Sequence, residues 1–337
     1  MSSTSAAISV ADLGERAIVE RITRRLPRPS WVVVGPGDDA AVVESVPRTL
    51  EVLTTDALVE GVHFDRRFVP ADCIGYRALA VNLSDLAAMG ARPRAALLSL
   101  VLPATLDVLD LDQMIGGMVA LADEQRIAIV GGNITRSTGP LIIDVTVTGS
   151  VKRRRVLTRA GARVGDEVYV TGTIGDATVG LASLRGTAGS AVRPTLAEAR
   201  YLRPAPRGRV GVLLGEQKVA TACIDLSDGL ADGVRRIADA SGVGITLDEE
   251  FFPFSHEVRD WFSGNETAML DTGLRGGDDY ELLFTCPPRS RRRLRGVQRL
   301  FGDLPITRIG MVTRDREVCL RTSAGKRPLP DGFAHFA

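Results

Sequence analysis

Aromatic residues make up only 5% of this 337-residue chain, so an aliphatic core is expected. Cysteine is sparser still, at four: Cys73, Cys223, Cys286 and Cys319. None forms a C-x-x-C pair, and each sits in or beside an apolar segment. A disulfide framework is excluded, and reduced, packed thiols of a cytosolic protein are expected. The three histidines show no zinc spacing and no Ser-His-Asp order. A net charge of +1 supplies no global field for nucleic acid or an anionic membrane. No stretch approaches the ~18 apolar residues of a membrane span. Met1 to Val10 lacks the basic start and apolar run of a leader peptide. The expectation is a soluble, cytoplasmic protein. The chain also lacks G-x-x-x-x-G-K-[ST], a strand-linked G-x-G-x-x-G, H-R-D and D-F-G. A P-loop enzyme, a dinucleotide fold and a protein kinase are therefore not indicated.

What is present suits a globular protein of about two domains. Hydrophobic residues account for 45% and charged residues for 25%. Helical spacing of Leu13, Ala17, Ile18, Ile22 and Leu26 predicts one amphipathic helix over 11–26. Short strands are expected on either side of GPGDD and at 50–54, the latter ending at Thr55 and Asp56. Helices are expected over 74–90 and 107–126. Strands are expected over 95–102, over 127–130 with a stop at Gly131-Gly132, and over 141–151. A basic turn and a Gly-containing loop then mark a boundary near 151–163. Beyond it, strands at 166–171, 219–224, 244–247 and 281–286 alternate with helices starting near 176, at 229–241 and at 289–301. A flexible loop is expected over 186–194. The six arginines between Arg289 and Arg299 read as a solvated face. The fold class is α+β, with two mixed domains, 1–151 and 152–337.

Acidic residues recur beside Gly, Ser or Thr where apolar segments end. The places are GPGDDAA (Asp38, Asp39), TTD (Thr54, Thr55, Asp56), NLSDLAAMG (Ser84, Asp85), CIDLSDGL (Asp225, Ser227, Asp228) and GGDDYELL (Asp278, Asp279). Burying many carboxylates together is intolerable without cations. Hard divalent ions with oxygen ligands are the natural compensation, and magnesium binds through one or two carboxylates plus substrate phosphates. Each motif has a plainer reading. Asp beside Gly is common in turns and helix caps. Asp228 reads equally as a cap, Ser84-Asp85 as a solvated pair and His63 as a packed histidine. Gly131 and Gly132 would let backbone N–H groups approach an anion, with Thr135, Arg136 and Ser137 following. Arg159 could add a fork to a phosphate.

The segments GPGDDAAVV, TTDALVEGVHFD, ALAVNLSDLAAMGARP, GGNITRS, VLTRAGARVGD, VYVTGTIGDA, IDLSDGL, GGDDYELLFT and the closing DGFAHF occur in this order. Through them the chain resembles the thiamine-monophosphate kinases of the aminoimidazole-ribonucleotide-synthetase-like superfamily. The resemblance runs from about residue 13 to the end. It implies a mixed N-terminal sheet domain that forms a dimer barrel, and a C-terminal α/β sandwich domain. It implies a homodimer, ATP and thiamine monophosphate as substrates, and several Mg2+ ions. Carried over by position, Asp39, Thr54, Thr55, Asp56, Asp85, Asp225 and Asp228 match metal-binding residues, and Asp56, Asp85 and Asp225 are the candidate catalytic carboxylates. Gly132, Arg159 and Ser227 match ATP contacts. His63, Asp278 and Phe333 match positions near the thiamine phosphate. Asn133 stands where the family has a metal-binding Asp, keeping a carbonyl oxygen without the charge. Asp278 stands where the family has Glu, one methylene shorter.

The implied reaction is magnesium-dependent, direct in-line transfer of the ATP γ-phosphoryl group, giving thiamine diphosphate and ADP. Two alternatives stay open. One is a related ATP-dependent small-molecule kinase or synthetase on the same scaffold. The other is a catalytically weakened ATP-binding homologue.

Overall fold

The structure, a computed structural model, describes residues 8–186 and 195–331. The expected loop at 186–194 and the Phe333 position fall largely or wholly outside them. The chain divides into two compact units. One holds the residues up to Asn82 with Pro93–Ser150, and the other Leu83–Arg92 with Val151 onward.

The first unit begins with α1 (Val10–Leu13) and α2 (Glu15–Thr23). Gly14, at φ +78°, separates them, so the single helix expected over 11–26 is in fact two. Ser9 caps α1 reciprocally with Asp12. The strands β1 (Val32–Val34) and β2 (Val42–Val43) pair antiparallel around GPGDD. They are followed by β3 (Leu50–Val59), α3 (Ala71–Ala88), β4 (Arg92–Pro103), α4 (Val108–Gln125), β5 (Ala128–Ser137) and β6 (Ile142–Val151). Four of these strands form a sheet in the order β3-β6-β4-β5, with β4 and β5 parallel.

Alternation sets the faces of that sheet. Along β6, Ile143, Val145 and Val147 are buried, while Asp144, Thr146 and Thr148 keep partial exposure. α4 starts at Asp107, whose carboxylate accepts the Leu109 N–H at 2.9 Å, and buries Leu111, Met114, Ile115, Met118 and Leu121. α3 and α4 approach backbone to backbone. A Cβ on Gly75 would stand 1.8 Å from the Met114 carbonyl oxygen, and one on Gly117 1.9 Å from that of Asp72. No side chain fits at either position.

The second unit contains β7 (Glu167–Thr171), α5 (Asp176–Gly186), α6 (Leu196–Leu202), α7 (Gly208–Glu216), β8 (Ala222–Asp225) and α8 (Leu230–Ser241). It continues with β9 (Gly244–Asp248), α9 (His256–Phe262), α10 (Glu266–Arg275), β10 (Leu282–Cys286), α11 (Arg291–Leu300), β11 (Ile306–Thr313), β12 (Val318–Thr322) and β13 (Gly325–Pro328). Its strands order as β13-β12-β9-β11-β7-β10-β8. β12 and β9 are parallel, and the other pairs antiparallel.

Both faces of this sheet are covered. Val168, Val170, Ile224 and Leu283 pack with Leu230, Val234 and Ile237 of α8. Their strand neighbours Tyr169, Cys223, Leu282 and Phe284 pack the other way, against Leu214 of α7 and Leu294 and Val297 of α11. Strands buried on both faces read as nearly continuous apolar runs, as LLFTC does with Thr285 its one polar residue. Each fully buried Leu or Phe contributes roughly 1.5–3 kcal/mol, so a core with only 5% aromatics is sufficient. All four cysteines are buried and unbridged, as expected.

Arg291 departs from the solvated face expected for α11. Its guanidinium forks onto Glu167, which is 1% exposed, with Nε 2.7 Å from Oε2. Arg308 Nε stands 3.1 Å from the same carboxylate, and the Tyr169 hydroxyl donates to it at 3.0 Å.

Candidate functional site

In the first unit, the β1–β2 hairpin carries GPGDD. Trp31, Val32 and Ala41 seat it on Ala95, Ala128 and Val130. Between this turn, α2 and the sheet lies a groove of about 800 Å³, and Asp38, Asp39, Gly132, Asn133, Asp144 and Thr146 are among its lining residues. Five residues singled out in the sequence, Asp38, Asp39, Gly131, Gly132 and Asn133, thus share one groove. Gly131 and Gly132 do not stop the strand. They lie inside β5, paired with Leu97 and Leu98 of β4. A Cβ on Gly132 would stand 1.9 Å from the Leu98 carbonyl oxygen, so close strand packing requires the glycine.

Thr54, Thr55 and Asp56 also lie within a strand, in the middle of β3, and not after its end. Polar residues suit a strand with one open face. The Thr55 hydroxyl donates to Asp144 at 2.9 Å and lies 3.0 Å from the Thr146 hydroxyl. His63 sits in the turn after β3. Its Nδ1 accepts the Val59 N–H at 3.1 Å, which leaves Nε2 to carry the proton as a donor.

In the second unit, Ser84 and Asp85 lie in the last turns of α3. Ser84 is fully buried and donates from Oγ to Asp225 Oδ2 at 2.8 Å, so it is not half of a solvated pair. Asp225 ends β8 and is 6% exposed. Burial, then the neighbouring Asp85 carboxylate, push its pKa up to about 7, while the Ser84 hydroxyl and the more distant Arg159 guanidinium oppose the rise. Arg159 is itself exposed, and its carbonyl accepts from Ser241. Asp228 does not cap α8, whose N-cap is Gly229 without any side-chain bond; Arg236 stands 3.5 Å away instead.

IDLSDGL and GGDDYELL, some fifty residues apart, are laced together. The Asp278 N–H donates to the Ser227 carbonyl at 2.8 Å, Tyr280 N–H to Leu226 at 2.9 Å, and Leu226 N–H to Glu281 at 2.8 Å. Asp278 (φ +69°) and Tyr280 (φ +49°) are left-handed, a conformation that costs non-glycine residues about 1–2 kcal/mol each. The Tyr280 hydroxyl donates to Asp278 Oδ1 at 3.0 Å. Asp279 turns under the segment and accepts the Gly175 and Ala177 N–H groups at 2.7 and 3.2 Å, at the start of α5. Burial raises its pKa well above the carboxylate range, against the pull of those two donors.

The donors in both units are oxygens, which suits a hard cation. Among the described residues no three His, Cys, Asp or Glu side chains gather as a metal cage. A buried Asp225 raised by its neighbour Asp85 is the kind of charge pair that a divalent ion relieves, and magnesium needs only one or two carboxylates besides phosphate oxygens. The residues present therefore fit magnesium.

Comparison with known proteins gives the lineage. Residues 37–151 match the AIR synthase related protein N-terminal domain, and residues 163–321 the corresponding C-terminal domain. The Escherichia coli K12 thiamine-monophosphate kinase is 38% identical over 316 residues, covering 91% of this chain and 93% of that protein. The chain belongs to the thiamine-monophosphate kinase family. A crystal structure of a thiamine-monophosphate kinase from Stenotrophomonas maltophilia superposes with a TM-score of 0.81 at 38% identity, covering 90% of this chain and 95% of that one. A solved structure described as AaThiL complexed with AMPPCP and TMP gives 0.76 at 33% identity, covering 98% and 100%.

The structure gives several motif residues a partner and adds one residue from outside the motifs. Ser84 orients Asp225, and Asp279 ties the GGDDY turn to α5. Glu281, 1% exposed, pairs with Arg207 and accepts the Thr171 hydroxyl at 2.6 Å. Glu281 belongs to a quoted motif. Arg207 has no local signal, because its partner is 74 positions away.

Proposed function

We propose that this kinase transfers the γ-phosphoryl group of ATP directly to thiamine monophosphate, in line, giving thiamine diphosphate and ADP. The observation that carries the proposal is the laced pair of loops holding Asp225, Ser227, Asp228 and Asp278 in the second unit, in a chain 38% identical to a thiamine-monophosphate kinase. In this reading magnesium ions have candidate ligands in each unit: Asp39, Thr54, Thr55, Asp56 and Asn133 in the first, and Asp85, Asp225 and Asp228 in the second. When bound, magnesium supplies neutralisation of phosphate charge.

The acceptor is a phosphate oxygen, already anionic near neutral pH, so no strong general base is required. The chain's own task is positioning and charge balance. Ser84 holds the Asp225 carboxylate in one orientation. Gly132, Arg159 and Ser227 take the ATP side. The family motifs assign His63, Asp278 and Phe333 to the thiamine phosphate.

A homodimer is the second part of the proposal, with the open face of the first unit's sheet as its contact. Leu53 on β3 is 68% exposed, outside the groove that Leu97 of β4 lines. A cytoplasmic location accords with four buried, unbridged cysteines.

The test is a coupled assay for ADP release, with the product identified as thiamine diphosphate. Turnover that needs ATP, magnesium and thiamine monophosphate together is expected. Tight ATP binding without turnover would overturn the proposal in favour of a weakened homologue. Recovery by Asn133→Asp would then place the defect at that ligand.

A further inference from the structure

Arg207 lies outside every motif quoted above, just before α7. Its mostly buried guanidinium forks onto Glu281. Nε donates to Oε2 at 2.6 Å and Nη2 donates to Oε1. The Glu281 carboxylate also accepts the Thr171 hydroxyl at 2.6 Å, and Thr171 Oγ1 accepts the Leu282 N–H at 2.8 Å. Gly172 makes room for this arrangement. It is left-handed at φ +60°, and a Cβ there would stand 2.0 Å from Glu281 Oε1. The glycine of VTGTIGDA thus serves Glu281.

Glu281 directly follows the left-handed turn Asp278–Tyr280, and its carbonyl receives the Leu226 N–H. The turn is anchored ahead by Ser227 and below by Gly175 and Ala177. Its exit is anchored by the Tyr280 N–H on Leu226, by the Glu281 carbonyl, and on the side-chain level by the clamped Glu281 carboxylate. A fork that engages both carboxylate oxygens fixes the plane of the carboxylate as well as its charge. An apolar pair of similar volume would serve the fold equally well.

We infer that Arg207 is a positioning residue for the acceptor substrate. By clamping Glu281 it fixes the exit of the left-handed turn and so sets the direction of Asp278. The inference rests on the reading of Asp278 as a residue that faces the thiamine phosphate.

The experiment is steady-state kinetics of Arg207→Lys, varying thiamine monophosphate and ATP separately, beside a thermal melt. Arg207→Lys keeps the charge and loses the fork. The expected result is a melting temperature within a few degrees of the parent and a loss of about 10- to 100-fold in kcat/KM for thiamine monophosphate, with KM for ATP unchanged. Methylguanidine added to Arg207→Ala should restore part of that loss. Thr171→Val removes another donor to Glu281 with little change of shape. It should shift the same parameter less, and it decides the question if the arginine variants do not fold. Asp278→Asn, measured in parallel, separates the two layers. If Asp278→Asn impairs use of thiamine monophosphate while Arg207→Lys and Thr171→Val change only the melting temperature, the clamp is overturned. If Asp278→Asn is silent and Arg207→Lys is not, the reading of Asp278 falls and Arg207 positions another group of the turn. If all are silent, both fall.

Discussion

The two units hold their candidate residues in different ways. In the second, Ser227, Asp228, Asp278 and Asp279 sit on turns bonded to each other and to α5, over a sheet covered on both faces. In the first, Asp39 and Asn133 line an open groove between the β1–β2 turn and the sheet, and Thr55 is exposed on β3. The second unit is pre-organised by its own backbone. The first presents donors on a surface that a ligand or a second copy would complete. Pre-organisation removes ordering cost at the moment of binding. The difference therefore predicts where substitutions act on chemistry and where they act on assembly.

The largest effect is expected at Asp225. Asp225→Asn removes a charge that burial and Asp85 both oppose. Turnover should fall at least about 100-fold, the scale of losing one electrostatic contact to a transferring group. The melting temperature should hold or rise, because the variant no longer buries that charge. A variant that loses stability and keeps its turnover per folded molecule would show that Asp225 serves the core and would erase the contrast between the units.

The next effect concerns the rigid part of the first unit. Gly116 and Gly117 are adjacent in α4 yet opposite in surroundings. A Cβ on Gly117 would stand 1.9 Å from the Asp72 carbonyl oxygen, whereas nothing lies within 4 Å of one on Gly116. Gly117→Ala should destabilise by about 1–3 kcal/mol or more through overpacking. Gly116→Ala should stabilise by about 0.5–1 kcal/mol through helix propensity. Chemical denaturation of the pair checks this. Equal effects would show that α3 and α4 do not meet as described.

These glycines also show what can and cannot be read from the chain. AALLSLVL and LLFTC are apolar apart from Ser99 and Thr285 and are legible as strands. β3 is only half legible, because Thr54, Thr55 and Asp56 look like an ending, and although burial alternates along the strand its polar and apolar residues do not. Gly131-Gly132 looks like a stop for the same local reason, although the contact that demands glycine comes from Leu98, over thirty positions earlier. The segments that form α6, α7, α9, α10 and β11 to β13 carry no expectation from the sequence. The site's acidic motifs are legible because each is compact. Their lacing is not, since the Asp278–Ser227 and Glu281–Arg207 bonds join distant segments.

A third test breaks the comparison from the open side. If the uncovered sheet face of the first unit is a subunit contact, Leu53→Asp places a charge on it where a 68% exposed leucine stood. Sedimentation should show a dimer for the parent chain and a larger monomer fraction for the variant, with the melt of the second unit unaltered. A monomeric parent would sink the dimer proposal and leave the open face without an occupant.

The smallest effect is expected from Arg291, on the covered side of the second unit. Its hydrogen bond to Glu167, followed in strength by those from Tyr169 and the charge of Arg308, holds the Glu167 carboxyl below the usual range against burial. A carboxylate depressed in the folded state stabilises fully above its unfolded pKa, and that contribution is lost as pH falls through the folded value. The parent should therefore melt above Arg291→Ala at pH 7. The gap should begin to close below about pH 4.5, the ordinary glutamate value, and vanish once Glu167 is protonated in both states. Arg308 remains beside the carboxylate, and Arg291 is half exposed, so the gap at pH 7 should be modest. Arg292→Ala, one position along the same helix on an exposed side chain, should show no pH-dependent gap. Matching profiles for the two variants would restore the reading of α11 as a solvated basic face. Distinct profiles would show that one arginine of the run closes the sheet by covering a buried acid, as Arg207 does for Glu281.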